Sequence, residues 1–205
     1  MRRLVIDSAT EACSVALFDD GHLVAGSHAM LGRGHAEQLV PMIAALPDNG
    51  RADRIAVNAG PGSFTGIRVG LAAARALALA WDVPIEGYSS LALVAAMARA
   101  AHPDAEIDVV MTGGHGEWFC QSFGADGAAA GDLASLPPEA AAARSAAGIV
   151  TGSQAEVLAE RRDDQPIVNP QWPDARAFAL LAPDALRADP LPRYGRAPDA
   201  QLPAA

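Results

Sequence analysis

Leu4-Val5-Ile6-Asp7-Ser8-Ala9-Thr10-Glu11-Ala12-Cys13-Ser14-Val15-Ala16-Leu17 is the stretch on which the fold turns. Residues 3–6 have the short apolar pattern of a buried strand. Residues 14–18 resume that pattern after a polar, hydroxyl-rich turn. Asp19-Asp20-Gly21 reads as a hairpin turn, because Asp-Gly tolerates the positive φ such turns need. Residues 22–28 then return as a third strand.

Residues 36–46 place Leu39, Met42, Ile43 and Leu46 at helical spacing. A strand follows at 54–57, a helix at 66–80, a short strand at 85–87 and a helix at 89–100, N-capped by Ser89 or Ser90. The second half runs similarly: strands at 107–111 and 118–123 about a Gly-rich turn, and a hairpin turn at Ala125-Asp126-Gly127 with a weak strand after it. A helix opens at Pro137-Pro138, with a strand at 149–150, a helix at 154–160, a strand at 167–168 and a helix at 175–187. The proline-bearing tail from Asp189 is expected to be extended. One element order, met twice and joined near 101–106, predicts an α/β fold of two similar lobes with mixed sheets. The first lobe is assigned 1–103, and the smaller second lobe, with its tail, 104–205.

The composition narrows the chemistry. The 205 residues are 51% hydrophobic and 19% charged, values of a globular chain that needs no disulfide or metal to fold. All 15 basic residues are arginine, which excludes a P-loop, Schiff-base or catalytic lysine. The net charge of -9 opposes phosphate backbones, so service to a nucleic acid is expected to depend on a partner's grip. Cys13 and Cys120 are too few for a disulfide framework, and Cys13 reads as a small buried hydrophobe. The first apolar run stops at Asp7, too soon for a signal peptide. The longest, at 69–81, is broken by Arg75 and is too short to span a bilayer. A cytoplasmic location without membrane contact is expected.

Three segments carry the functional information, each with two readings. Asp7, Ser8, Thr10 and Glu11 place an acid at a strand end before a hydroxyl-rich turn, as actin-like ATPases do to meet phosphate and metal. Those turns normally carry glycine for close backbone approach, where Ser8 and Ala9 stand here, and the other reading is a local Asx turn. Gly60-Pro61-Gly62-Ser63-Phe64-Thr65-Gly66-Ile67-Arg68 follows a strand and opens a helix. It is either an anion-binding loop or a tight turn capped by Ser63 or Thr65. His35 and Glu37 start the first helix, as an anion or partner contact or as a solvated helix start. No histidine pair has the spacing of a helical metal site, so no metal ligand and no catalytic residue is assigned.

The opening stretch, residues 35–42, residues 60–70, Gly116-Glu117-Trp118-Phe119 and the tail at 192–198 together resemble the Gcp-like family. Older labels for it are glycoprotease and peptidase M22, and the likeness is to its TsaB-type (YeaZ-type) branch. The match is dense over the first lobe and thin over the second. It implies the actin-like ATPase (ASKHA, ribonuclease H-like) fold. It further implies a non-catalytic subunit that joins a TsaD-like catalytic paralogue and a TsaE-like ATPase. That assembly places a threonylcarbamoyl group on tRNA, with tRNA reached through the complex. ATP and metal are expected on the partner subunits, none on this chain, and the resemblance leaves a homodimer open to the chain when it is alone. Glu117 belongs to the family motif. The departures are Thr112-Gly113-Gly114 in place of Asp-Ala-Arg, and Tyr194-Gly195-Arg196 in place of Tyr-Leu-Arg.

The partner surface is expected on the helix after the Gly-Pro-Gly loop, where Gly66, Gly70, Ala74 and Ala78 recur every four residues. Ile67, Ala73 and Leu77 widen the stripe, and Leu39, Met42 and Ile43 of the first helix complete a bundle with two partner helices. On this reading Gly70→Leu abolishes assembly and leaves the monomer folded; the alternative is that helix 89–100 covers the stripe within the chain. The rival functions are a metallopeptidase-like or ATP-dependent enzyme working between the lobes, and a homodimeric storage or regulatory protein.

Overall fold

Leu4 and Ile6 point to one side of the first strand and Val5 to the other, and none of the three is exposed. A strand apolar on both faces needs a cover on each, and that requirement organises the molecule. The computed structural model describes residues 1–195. β1 (Arg2–Asp7) pairs antiparallel with β2 (Ala12–Asp19), and β2 with β3 (His22–Met30). On its other side β1 runs parallel to β4 (Arg54–Asn58), which runs parallel to β5 (Ile85–Tyr88). The strand β11 (Arg187–Ala188), from far along the chain, closes the edge, giving the order β11-β5-β4-β1-β2-β3. The second sheet has the order β10-β9-β6-β7-β8. Its strands are β6 (Ile107–Thr112), β7 (Trp118–Phe123), β8 (Ala134–Leu136), β9 (Ile149–Thr151) and β10 (Ile167–Asn169).

The helices form three layers around these sheets. α1 (His35–Ala44) and α2 (Phe64–Trp81) cover the Leu4/Ile6 face of the first sheet. α3 (Ser90–Ala101) lies between the sheets: Leu93 packs with Val5, Ala56 and Phe178, while Leu91, Val94 and Ala98 pack with Ile107, Met111 and Phe119. α4 (Pro138–Arg144) and α5 (Ala155–Ala159) cover the outer face of the second sheet around Val110, Trp118 and Val150. Both sheets are mixed, and the fold is that of actin-like ATPases.

Two expectations change. The helix predicted at 175–187 is instead a 3-10 turn at Ala175–Leu180, another at Pro183–Ala185, and β11. Pro183 has no N–H and disfavours helical backbone before it, and Ala182 accordingly takes φ −66°, ψ 145°. The second change concerns α2. By length and composition alone its 18 residues, with mean hydropathy 1.2, suffice to cross a membrane. Its inner face, from Gly66 to Ala78, packs on the first sheet. The tail match at 192–198, with Arg196, lies partly outside the described residues.

Candidate functional site

Three parallel strands end level with one another. β1 ends on Asp7, β4 on Asn58 and β5 on Tyr88, in the register Ile6↔Val57 and Asn58↔Tyr88. Asn58 Nδ2 donates to Asp7 Oδ2 at 2.6 Å, and the Tyr88 hydroxyl donates to the same oxygen at 3.0 Å. The Ala9 N–H donates to Asp7 Oδ1 at 3.3 Å. Asn58 Oδ1 accepts from the Gly60 N–H at 2.7 Å and from the Ser90 hydroxyl at 2.9 Å. Ser90 also reaches the Pro61 carbonyl, at 2.7 Å. Asp7, Asn58, Tyr88 and Ser90 are all buried. The acid at the strand end is thus enclosed by three donors of its own chain, which supports the Asx-turn reading over a metal-facing carboxylate.

Burial pushes the Asp7 carboxyl up to about 7, with the hydrogen bonds from Asn58, Tyr88 and Ala9 opposing it. Between about pH 4 and pH 7 the folded chain therefore holds a proton that the unfolded chain releases. Folding stability from this group falls as pH rises through that window and is level above it. Asp7→Asn removes the titration. The stability of wild type relative to Asp7→Asn, from urea unfolding, should drop by about 2 kcal/mol between pH 5 and pH 8. A difference that stays constant across that range would refute the assignment.

The two glycine- and hydroxyl-rich segments close on each other. A Cβ on Gly62 would overlap the Ala9 carbonyl oxygen, and one on Gly66 would overlap that of Ser8. The Ser63 N–H donates to the Ala9 carbonyl at 2.7 Å, and the Ser8 hydroxyl to that of Gly66 at 2.9 Å. Gly62 and Gly66 thus admit the Ser8–Ala9 backbone at the place where an anion-binding loop would admit phosphate. Ser63 caps α2, its hydroxyl accepting from the Gly66 N–H at 3.3 Å. Phe64, Thr65 and Arg68 lie at the surface, with the Arg68 guanidinium 3.8 Å above the Phe64 ring.

The remaining sequence candidates are dispersed. Thr10 is buried and its Oγ1 accepts from the Ala12 N–H at 3.3 Å. The Glu11 carbonyl accepts from Leu31 and Gly32, both at 2.9 Å. His35 is buried, its Nε2 3.3 Å from the Ala12 carbonyl, so it pins α1 to β2. Glu37 is exposed in the first turn of α1. Glu117 sits in the second lobe, where it accepts from the Ser135 hydroxyl at 2.6 Å. Thr112 engages Ser153 and Gln154 at 3.0 Å each, and Gly114 accepts the Glu117 N–H that closes the hairpin. Among the described residues no group of three His, Cys, Asp or Glu is placed to hold a metal.

The small-residue stripe of α2 needs correction as a surface. Gly66, Ile67, Gly70 and Ala74 are buried against the chain's own first sheet, as are Leu39 and Ile43 of α1. A Cβ on Gly70 would stand 2.6 Å from Ser8 Oγ and 3.5 Å from Val57. Their cover is that sheet and the Ser8 turn, not α3 and not a partner. Met42, Ala73 and Leu77 are half-buried along the same seam. The outward face of α2 is instead Thr65, Ala72, Ala76 and Leu79, with Leu79 86% exposed, and on α1 Val40 is 61% exposed. Asn58 and Tyr88 escaped the sequence reading, and Ser90 figures in it only as a helix cap; the missed signal is the position of Asn58 and Tyr88 at the ends of strands parallel to β1.

Comparison with known proteins fits this geometry. The family model for TsaD, tRNA N6-adenosine threonylcarbamoyltransferase, matches residues 29–161. The tRNA threonylcarbamoyladenosine biosynthesis protein TsaB of Escherichia coli K12 is 41% identical over 100 residues, 46% of this chain and 43% of that protein. The protein of the same name from Haemophilus influenzae is 40% identical over 103 residues, 48% of this chain and 42% of its own. The matched stretch thus spans under half the length of these curated relatives. A solved structure, YeaZ from Pseudomonas aeruginosa, superposes with a TM-score of 0.79 at 28% identity, covering 94% of this chain and 99% of its own. With a family model matched over well over half of its 205 residues, and a YeaZ structure following it almost end to end, the chain belongs to the TsaD, or Gcp-like, family, on its TsaB (YeaZ) branch.

Proposed function

We propose that the chain is a non-catalytic, cytoplasmic subunit of the assembly that makes threonylcarbamoyladenosine in tRNA. It partners a TsaD-like catalytic paralogue and a TsaE-like ATPase, which carry the ATP and metal chemistry. The observation that carries this reading is the mutual packing of the Ser8–Ala9 turn and the 60–66 loop, with Asp7 sealed beneath them by Asn58 and Tyr88. A fold whose phosphate-facing turns are occupied by each other retains the architecture of its relatives and contributes a surface. The surface with the required character is the outward side of α2, where Ala72, Ala76 and Leu79 are exposed on a helix with no acidic residue. The net charge of -9 gives a reason for tRNA to be gripped by the partners.

The test is sedimentation velocity of the chain mixed with the TsaD-like paralogue of the same genome. One faster boundary is expected, containing both proteins in fixed ratio. Two independent boundaries at micromolar concentration would refute the subunit reading.

A further inference from the structure

Residues 187–195 cross the molecule as a strap over the end of the first sheet. β11 pairs with β5 through only two residues. The strap then runs past α2, which holds it by its two arginines: Arg75 Nη2 donates to the Pro190 carbonyl at 2.9 Å, and Arg68 Nε to the Tyr194 hydroxyl at 3.0 Å. The Arg193 N–H donates to the Ala59 carbonyl at 2.7 Å. Tyr194 stacks beside Phe64, ring centroids 4.9 Å apart. Arg68 and Arg75 are thus committed within the chain on one flank of α2.

The strap lies along the surface of a rigid base, close against Gly60 and Gly87 but with few buried side chains of its own. Of its nine residues only Pro190 is buried, and Leu191 is 74% exposed. Between it and the strand ends lies a cavity of about 300 Å³, lined from below by Ala59, Gly87, Tyr88 and Ser89. The base holds the buried Asp7–Asn58–Ser90 network and the inner strands β1 and β4. Segments with few buried contacts and exposed backbone bonds open at low free energy, independently of the core.

We propose that residues 187–195 are a latch. Seated, they set Tyr194 beside Phe64 and Arg68 at the head of α2 and complete the corner a partner meets there. Released, they withdraw Tyr194 and uncover Ala59 without disturbing β1 or β4. This rests on α2 as the partner face, and it makes latch seating a control on partner affinity.

Gly87→Ala tests it from a position remote from the outward face of α2, because the added Cβ would overlap the Pro190 ring. Hydrogen exchange on the intact chain should show strap amides exchanging about tenfold faster in Gly87→Ala, with β1 and β4 amides unchanged. Affinity for the TsaD-like paralogue should fall about tenfold. Tyr194→Ala, which trims a half-buried ring at the margin of the first-lobe core and leaves the buried strands in place, should reproduce both effects. Strap and β4 amides that exchange together, at the rate of global unfolding, would overturn the latch. So would a released strap with unchanged partner affinity. Failure of the wild-type chain to bind would overturn the functional reading and with it the coupling, while the exchange comparison decides the latch by itself.

Discussion

Gly66→Ala is expected to destabilise the chain by about 3 kcal/mol or more, although helix propensity alone assigns that exchange a gain of about 1 kcal/mol. The site lies in the first turn of α2, capped by Ser63. Its would-be Cβ falls on the Ser8 carbonyl oxygen, a backbone atom that cannot swing aside. Either the Ser8–Ala9 turn moves, breaking the bond from the Ser63 N–H to Ala9, or α2 lifts from Ile6 and Val57. Both routes sacrifice buried contacts, and a loss of this size is a large part of a domain's 5–15 kcal/mol. Gly70→Ala should cost less, because its obstacle at 2.6 Å is Ser8 Oγ, a side-chain atom that can rotate away at the loss of its bond to the Gly66 carbonyl. Thermal unfolding followed by circular dichroism should show a drop of about 10 °C for Gly66→Ala. An unchanged or raised midpoint would mean that the two loops do not pack as described.

Ala76→Glu should do the reverse: keep the monomer and lose the partner. Ala76 lies on the exposed side of α2, one turn from Ala72 and beside Leu79. An exposed alanine-to-glutamate change within a helix costs under about 0.5 kcal/mol. In an apolar interface the same carboxylate would be buried without a counter-charge, at about 2–5 kcal/mol, which lowers affinity thirtyfold or more. Sedimentation velocity with the paralogue should separate into free components at concentrations where wild type stays bound. A variant that still assembles with wild-type affinity would remove this face from the interface. These two outcomes together would place the interface on the opposite side of α2 from the glycines.

That reversal shows what was legible in the sequence. The strands around Asp7 and the helix after the Gly-Pro-Gly loop could be read because their periodicity and turn residues are local. The four-residue recurrence of Gly66, Gly70, Ala74 and Ala78 correctly marked a close-packed face. Periodicity cannot say what packs there, because a sheet of the same chain and a partner helix demand the same small residues. The burial of Asp7 depends on Asn58 and Tyr88, 51 and 81 residues away, and emerges only once strand register is known. The predicted helix at 175–187 failed because apolar spacing outweighed Pro183, whose missing N–H decided the backbone. The return of β11 to the first sheet is a tertiary event with almost no local signal in two residues.

A subunit that gives a surface and no chemistry should be indispensable, yet insensitive at Asp7, in reconstituted transfer of the threonylcarbamoyl group to tRNA. The assay combines the TsaD-like paralogue, the TsaE-like ATPase, an activated threonylcarbamoyl donor, ATP, magnesium and tRNA, with this chain added as wild type, Asp7→Asn or Ala76→Glu. The account predicts full transfer with wild type, near-equal transfer with folded Asp7→Asn, and background with Ala76→Glu. Transfer or Mg²⁺-dependent ATP turnover by the chain alone, or an assembled Asp7→Asn complex that is inactive, would contradict it.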